Sequence, residues 1–232
     1  MDILLIPGLW LDGSSWNAVV PALEEAGHRA HAVTLPGLES PDADRSAISL
    51  RDHVDAVVSR IDALDGPVVL VGHSAGGAVA QAAADARPHR VARVIYTASG
   101  PVAEGQCVND GLPSANGEIR MPDWSFWEEG MLVGLDDELQ QTILAQSVPS
   151  PARAATDPQV LSDERRYDVP VTVVACDYTP EMMREWIAAG DPDALELART
   201  RDVEYVELPT GHWPQFSRPT DLGRVIAQAA AT

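Results

Sequence analysis

The chain contains no lysine: all 16 of its basic residues are arginines, set against 35 acidic residues for a formal charge of −19. Without lysine, the glycine-rich phosphate-binding loop that ends on one is excluded. The acidic surplus repels nucleic acid and anionic membranes, so neither is expected as a partner. Cysteine is nearly absent too. Cys107 and Cys176 stand far apart and without zinc-ligand spacing, which supports neither a disulfide framework nor a structural zinc site. No apolar run reaches the roughly 20 residues that cross a membrane. The opening Met1-Asp2-Ile3 carries no basic region or cleavage-like site, so the expected location is the cytoplasm. Gly8 to Gly13 lack the Gly-x-Gly-x-x-Gly spacing of a dinucleotide site, and no metalloprotease helix motif occurs. No cofactor or metal is expected. Internal repeats and low-complexity segments are also missing.

What remains is 232 residues of ordinary hydrophobic content, 45%, enough for one sizeable core. Short apolar runs alternate with helical patterns. Strands are expected at Ile3 to Ile6, Arg29 to Leu35, Val68 to Val71, Val91 to Tyr96, Val171 to Ala175 and Val203 to Leu208. Between them, helices are expected from Ser14 or Ser15 through Leu23, from Ile48 to Leu64, and from Ala75 to Ala86. Others follow around Glu181 to Ala189, around Ala194 to Thr200, and from Leu222 to Ala231. This rhythm predicts an α/β fold, a doubly wound and mostly parallel sheet of about six strands, in a single domain spanning residues 1–232. From about Pro101 to Arg166 the alternation breaks into prolines, glycines and the aromatic cluster Asp123-Trp124-Ser125-Phe126-Trp127. Residues 101–166 are expected to form an inserted helical cap, with a helix from Asp136 to Gln146.

The most informative stretch is Val68-Val69-Leu70-Val71-Gly72-His73-Ser74-Ala75-Gly76-Gly77. A strand that must turn sharply into a helix needs small residues on both sides of the bend, and Gly72 and Gly76 supply them. Gly-x-Ser-x-Gly in this setting is a nucleophile elbow. A serine hydroxyl attacks poorly at neutral pH without a base and an orienting acid, which should follow in the order acid, then histidine. Of six histidines, His212 stands apart: Pro209-Thr210-Gly211-His212-Trp213-Pro214 follows the last strand and precedes the last helix. That loop lies at the carboxyl end of the sheet, where ligands bind in open α/β folds. For the acid, Asp177 appears as the buried strand 171–175 runs out, with Glu104 as the reserve. Asp191 and Asp193 are read as caps of the helix that follows them. The oxyanion formed on attack needs backbone donors. Ala75 N–H supplies the first, and Leu9 N–H, in a loop where Gly8 permits close backbone approach, supplies the second.

These residues resemble those of the α/β-hydrolases, near the branch of small esterases and hydroxynitrile lyases. The likeness rests on Pro7-Gly8-Leu9-Trp10, the Trp16 helix with Val20-Pro21 and Leu23, Ala26-Gly27-His28, the elbow, Asp177 and Gly211-His212. Members of that branch usually carry His-Gly where this chain has Pro7-Gly8, so any role of that histidine side chain is absent here. The resemblance implies that the first strand here corresponds to the family's third. It implies a cofactor-free serine hydrolase acting on a small, largely apolar carboxylic ester, thioester or lactone through an acyl-enzyme. Ser74 would be the nucleophile, His212 the base and Asp177 the orienting acid. Trp10, Trp124, Phe126, Trp127 and Trp213 would either wall the substrate pocket or pack cap against core. The same scaffold also supports hydroxynitrile cleavage, peracid formation or a slow-turnover ligand receptor, and fold alone does not choose among them.

Overall fold

Strands of a parallel sheet are covered on both faces and read as continuous apolar runs, which is why the elements around Ser74 are legible. The computed structural model describes residues 1–232. Its strands are β1 (Asp2–Ile6), β2 (Arg29–Ala32), β3 (Val68–His73), β4 (Val91–Thr97), β5 (Glu118–Ile119), β6 (Ser150–Pro151), β7 (Val171–Ala175) and β8 (Val203–Glu207). Its helices are α1 (Val20–Glu25), α2 (Leu50–Asp62), α3 (Gly76–Ala86), α4 (Asp137–Gln146), α5 (Ala152–Thr156), α6 (Pro180–Ala189), α7 (Pro192–Ala198), α8 (Pro214–Ser217) and α9 (Pro219–Ala230).

Six strands form one sheet in the order β2-β1-β3-β4-β7-β8, every neighbouring pair parallel. Alternate side chains serve opposite faces. Leu4, Leu70, Val94 and Val173 meet Val57 and Ile61 of α2 and the alanines of α3 on one side. Ile3, Val69, Ile95 and Val174 meet Trp16, Leu23, Leu222 and Ile226 on the other. Register sets the functional edge: Ile6 pairs with Gly72, Thr97 with His73 and with Val174, and Ala175 with Glu207. The loops after β1, β3, β7 and β8 therefore leave the sheet side by side at its carboxyl edge. No helix is long and apolar enough to cross a membrane.

The structure corrects the expected first helix. Asp12, not Ser14 or Ser15, accepts the capping hydrogen bond, from Ser14 N–H, and the turn it caps stops at Trp16. A separate helix begins at Val20 with Pro21 in its first turn. Proline has no N–H to give to a helix interior, so the chain breaks before it. The second strand likewise stops at Ala32, short of the expected Leu35.

Between β4 and β7 lies the cap segment, with α4, α5, two single 3-10 turns at Trp124–Phe126 and Glu129–Leu132, and the β5–β6 antiparallel ladder. Ile119 pairs with Ser150 in that ladder, and both are fully buried.

Candidate active site

Ser74 sits at the bend between β3 and α3 with φ of 51°, a left-handed conformation that is uncommon for a residue with a side chain. The bend is tight. A Cβ on Gly72 would lie 2.5 Å from the carbonyl oxygen of Gly76, and one on Gly8 would lie 2.9 Å from Cβ of Ser74. The loop after β1 thus abuts Ser74. Ser74 N–H donates to Thr97 O at 3.2 Å, fixing the elbow to β4, and the amino end of α3 points its partial positive charge towards the hydroxyl.

Asp177 follows β7 by two residues. The turn that holds it is tied at both ends: Tyr178 Oη–H donates to Ser99 O at 2.6 Å, and Thr179 caps α6 by accepting from Met182 N–H at 3.2 Å. His212 arrives in the loop after β8. Its Nδ1 lies 2.7 Å from Asp177 Oδ2 and its Nε2 lies 2.9 Å from Ser74 Oγ. A carboxylate only accepts, so Nδ1 carries the hydrogen and Nε2 is left to accept from the serine. The structure brings together the three residues that sequence reasoning chose from loops 138 positions apart.

The His212 loop is gripped from two sides. From the cap segment, Met131 O accepts His212 N–H at 2.7 Å and Val133 O accepts Gly211 N–H at 2.8 Å. From the elbow, His73 Nε2–H donates to His212 O at 2.7 Å, while Gln215 Nε2–H donates to His73 Nδ1 at 3.1 Å. Burial and the neighbouring His212 push His73 down to about 3, so it stays neutral and its donor and acceptor remain fixed. Sequence reading left His73 as one competing histidine. Its position immediately before the nucleophile, at the end of a buried strand, is the signal that marks it.

Two alternatives left open by the sequence are decided by the contacts. Glu104 turns away from His212 and accepts a hydrogen bond from Leu161 N–H within the cap segment, so Asp177 alone reaches the base. Trp213 and Trp124 do not wall the cavity. Trp213 is buried beneath His212, ring centroids 5.1 Å apart, and Trp124 meets it edge to face at 5.3 Å. They support the base loop from behind. Trp10, Phe126 and Trp127 line the cavity. Cys176 is no rival nucleophile: burial pushes its thiol up to about 12.

The cavity above Ser74 has a volume of roughly 500 Å³, within the usual range of small-molecule sites. Leu9 and Ala75 border it beside Ser74, and the backbone amide of neither is bonded to another protein group. Its far wall comes from α6 and α7, which sequence reading treated as plain helices: Met183, Trp186 and Ala194 face the space. Trp186 follows Met183 by one helical turn, so the pair marks an apolar stripe beside the acid. Asp191 caps α7 as expected, accepting from Asp193 N–H and Ala194 N–H. Asp193 does not: it accepts Ala103 N–H at 2.8 Å, borders the cavity, and burial raises its carboxyl above the usual range.

This sheet order, elbow and histidine loop define an open α/β enzyme scaffold. A profile of the alpha/beta hydrolase family matches residues 3–224, and the chain belongs to that family. It is 29% identical to a pyrethroid hydrolase of Sphingobium wenxiniae over 99% of this chain and 87% of the relative. It is 34% identical to lipase LipV of Mycobacterium tuberculosis over 97% of this chain and 91% of the relative. An extracellular alpha/beta-hydrolase from a Paenibacillus species superposes with a TM-score of 0.81 at 18% identity, covering 100% of both chains; at that identity the likeness speaks for the fold.

Proposed function

We propose that this chain is a cofactor-free serine hydrolase that cleaves largely apolar carboxylic esters through an acyl-enzyme. The observation that carries the reading is the continuous hydrogen-bonded line from Asp177 through His212 to Ser74 at the floor of an apolar cavity. Relatives named pyrethroid hydrolase, lipase and pimeloyl-[acyl-carrier protein] methyl ester esterase support ester cleavage.

In this mechanism His212 Nε2 takes the proton as Ser74 Oγ bonds to the ester carbonyl carbon, and the carbonyl π electrons move onto oxygen. Leu9 N–H and Ala75 N–H receive that oxyanion, assisted by the amino end of α3. Asp177 holds the imidazolium that forms. Collapse expels the alcohol, which takes the proton from His212; water activated by the same histidine then releases the acid. A cavity of roughly 500 Å³ holds an acyl group and an alcohol group each larger than a few carbons, bounded by Trp10, Phe126 and Trp127 on one side and Met183 and Trp186 on the other.

The test is a panel of p-nitrophenyl esters from acetate to octanoate, measured with wild type and Ser74→Ala. The expected result is saturable turnover in wild type, its loss in the variant, and a one-site mass gain with a fluorophosphonate probe in wild type alone. Undiminished turnover in Ser74→Ala overturns the reading.

A further inference from the structure

The loop after β1 holds a second left-handed residue, and an unusual one. Trp10 has φ of 65°, and a bulky aromatic side chain is a rare occupant of that region. Nothing within the loop itself explains the conformation. Three hydrogen bonds hold it, and all three lead to the cap segment: Trp10 N–H donates to Ser150 Oγ at 2.6 Å, Trp10 Nε1–H donates to Ile119 O at 3.1 Å, and Trp10 O accepts from Val148 N–H at 2.9 Å. Ser150 and Ile119 are the paired residues of the β5–β6 ladder, so two of these anchors form one rigid unit. The Ser150 side chain is fully buried, and its hydroxyl is the protein's acceptor for the Trp10 amide.

Trp10 follows Leu9 directly. The Leu9–Trp10 peptide plane is held by the Ser150 bond, and the next plane upstream carries Leu9 N–H. If Trp10 relaxed to negative φ, as an unrestrained tryptophan does, the Leu9–Trp10 plane would turn and Leu9 would shift against Ser74, beside which Gly8 leaves no room for a side chain. We propose that Ser150 is a positioning residue for the oxyanion hole: its hydroxyl locks Trp10 in the left-handed conformation that keeps Leu9 N–H directed into the cavity beside Ser74. This rests on the serine-hydrolase reading above. It makes the cap segment part of the transition-state machinery as well as a wall for substrate.

The experiment compares wild type, Ser150→Ala, Trp10→Gly and the double variant on one p-nitrophenyl ester, with a thermal melt of each. A trifluoromethyl ketone serves as probe: Ser74 Oγ adds to its carbonyl carbon, the proton passes to His212, and the resulting hemiketal oxygen carries the charge into the oxyanion site. For Ser150→Ala the expected result is a fall in kcat of about 10- to 100-fold with KM within about twofold, and a matching loss of affinity for the ketone. Glycine adopts positive φ without strain, so in the Trp10→Gly background the same substitution should cost less than about threefold. A role limited to holding the cap in place would lower the melting temperature or raise KM and leave kcat and ketone affinity unmoved; that outcome overturns the proposal, as does an equal kcat loss in both backgrounds. Should Ser150→Ala not fold, Ser150→Cys fills the site with a somewhat larger atom that accepts a hydrogen bond only weakly, and the same split between kcat and KM is expected of it. Turnover that persists in Ser74→Ala would instead overturn the parent reading.

Discussion

Replacing Asp177 with asparagine changes one atom and one charge, and the structure sets what that should cost. Asp177 Oδ2 lies 2.7 Å from His212 Nδ1, and the two side chains are only 12% and 14% exposed. When His212 takes the serine proton, a full positive charge forms beside the carboxylate. With charge centres about 4 Å apart and an effective dielectric near 20, their attraction is worth about 4 kcal/mol. At 1.36 kcal/mol per power of ten, its removal should lower kcat about 10³-fold. The loss grows towards about 10⁴-fold if the new amide turns its NH₂ to Nδ1, because the imidazole must then carry its hydrogen on Nε2 and cannot accept from Ser74. Stability should change little: the side-chain volume is conserved, and Asp177 Oδ1 already lacks a protein partner. The assay is kcat on a p-nitrophenyl ester with a parallel thermal melt, and Glu104→Gln as control, expected within about threefold of wild type because Glu104 is bonded to Leu161. Asp177→Asn retaining more than about a tenth of wild-type kcat would refute the assignment of the acid.

Three further outcomes follow from the same contacts. His73 is held near 3 in the fold against an ordinary value of 6.5, so between those pH values the unfolded chain binds a proton that the folded chain refuses. Stability attributable to this group therefore falls as pH drops below 6.5, by about 1.4 kcal/mol per pH unit, or about 2 kcal/mol by pH 5. Urea melts at pH 7 and pH 5 should show a shallower pH dependence in His73→Gln than in wild type, and equal slopes would count against the account. In Gly211→Ala the new methyl would sit 2.2 Å from Met131 O, forcing the base loop off the cap segment. A displacement of about 1 Å costs roughly 100-fold in rate, read as kcat with KM little changed. Trp186→Ala removes half of the α6 wall and should lower kcat/KM for aryl and long-chain esters about tenfold while affecting acetate esters less. An equal effect on both ester classes would remove Trp186 from the substrate wall.

Much of this was readable from residue order because the relevant elements are locally specified. β1, β3, β4 and β7 are covered on both faces and announce themselves as apolar runs, and the loops bearing Leu9, Ser74 and Asp177 begin where such a run stops; the His212 loop instead follows the half-exposed edge strand β8. Ser74 is marked by the glycines its bend requires, and Asp177 and His212 by their places after strands. The points left open or missed share a cause: each depends on which distant residue a side chain meets. Glu104 stands after a strand just as Asp177 does, and only the fold shows that Leu161 N–H claims it. Trp213 adjoins the base in sequence, yet its ring turns beneath the histidine and away from the cavity. Met183 and Trp186 carry no motif; their stripe gains meaning only once α6 is seen to lean over the site. The split of the first helix was the local exception, since Pro21 was visible and carried the signal.

The least legible segment turns out to hold the candidate site together. Three loops surround the elbow that bears Ser74, and the cap segment bonds to two of them: to the loop after β1 through Ile119, Val148 and Ser150, and to the histidine loop through Met131 and Val133. The third loop, bearing Asp177, is held from the sheet side through Tyr178 and Ser99. His73 then ties the elbow to the histidine loop within the core. Each grip is a hydrogen bond accepted by a backbone carbonyl or by the buried Ser150 hydroxyl, short in range and sensitive to direction, so a small shift of the cap segment would move Leu9 and His212 relative to Ser74 together. On the proposed mechanism, substrate fit and transition-state alignment are mechanically linked. A ligand that presses on Trp10, Phe126 or Trp127 would act on the same segment that is bonded to the loops of Leu9 and His212, and on the proposed mechanism differences among substrates should emerge in kcat as readily as in KM.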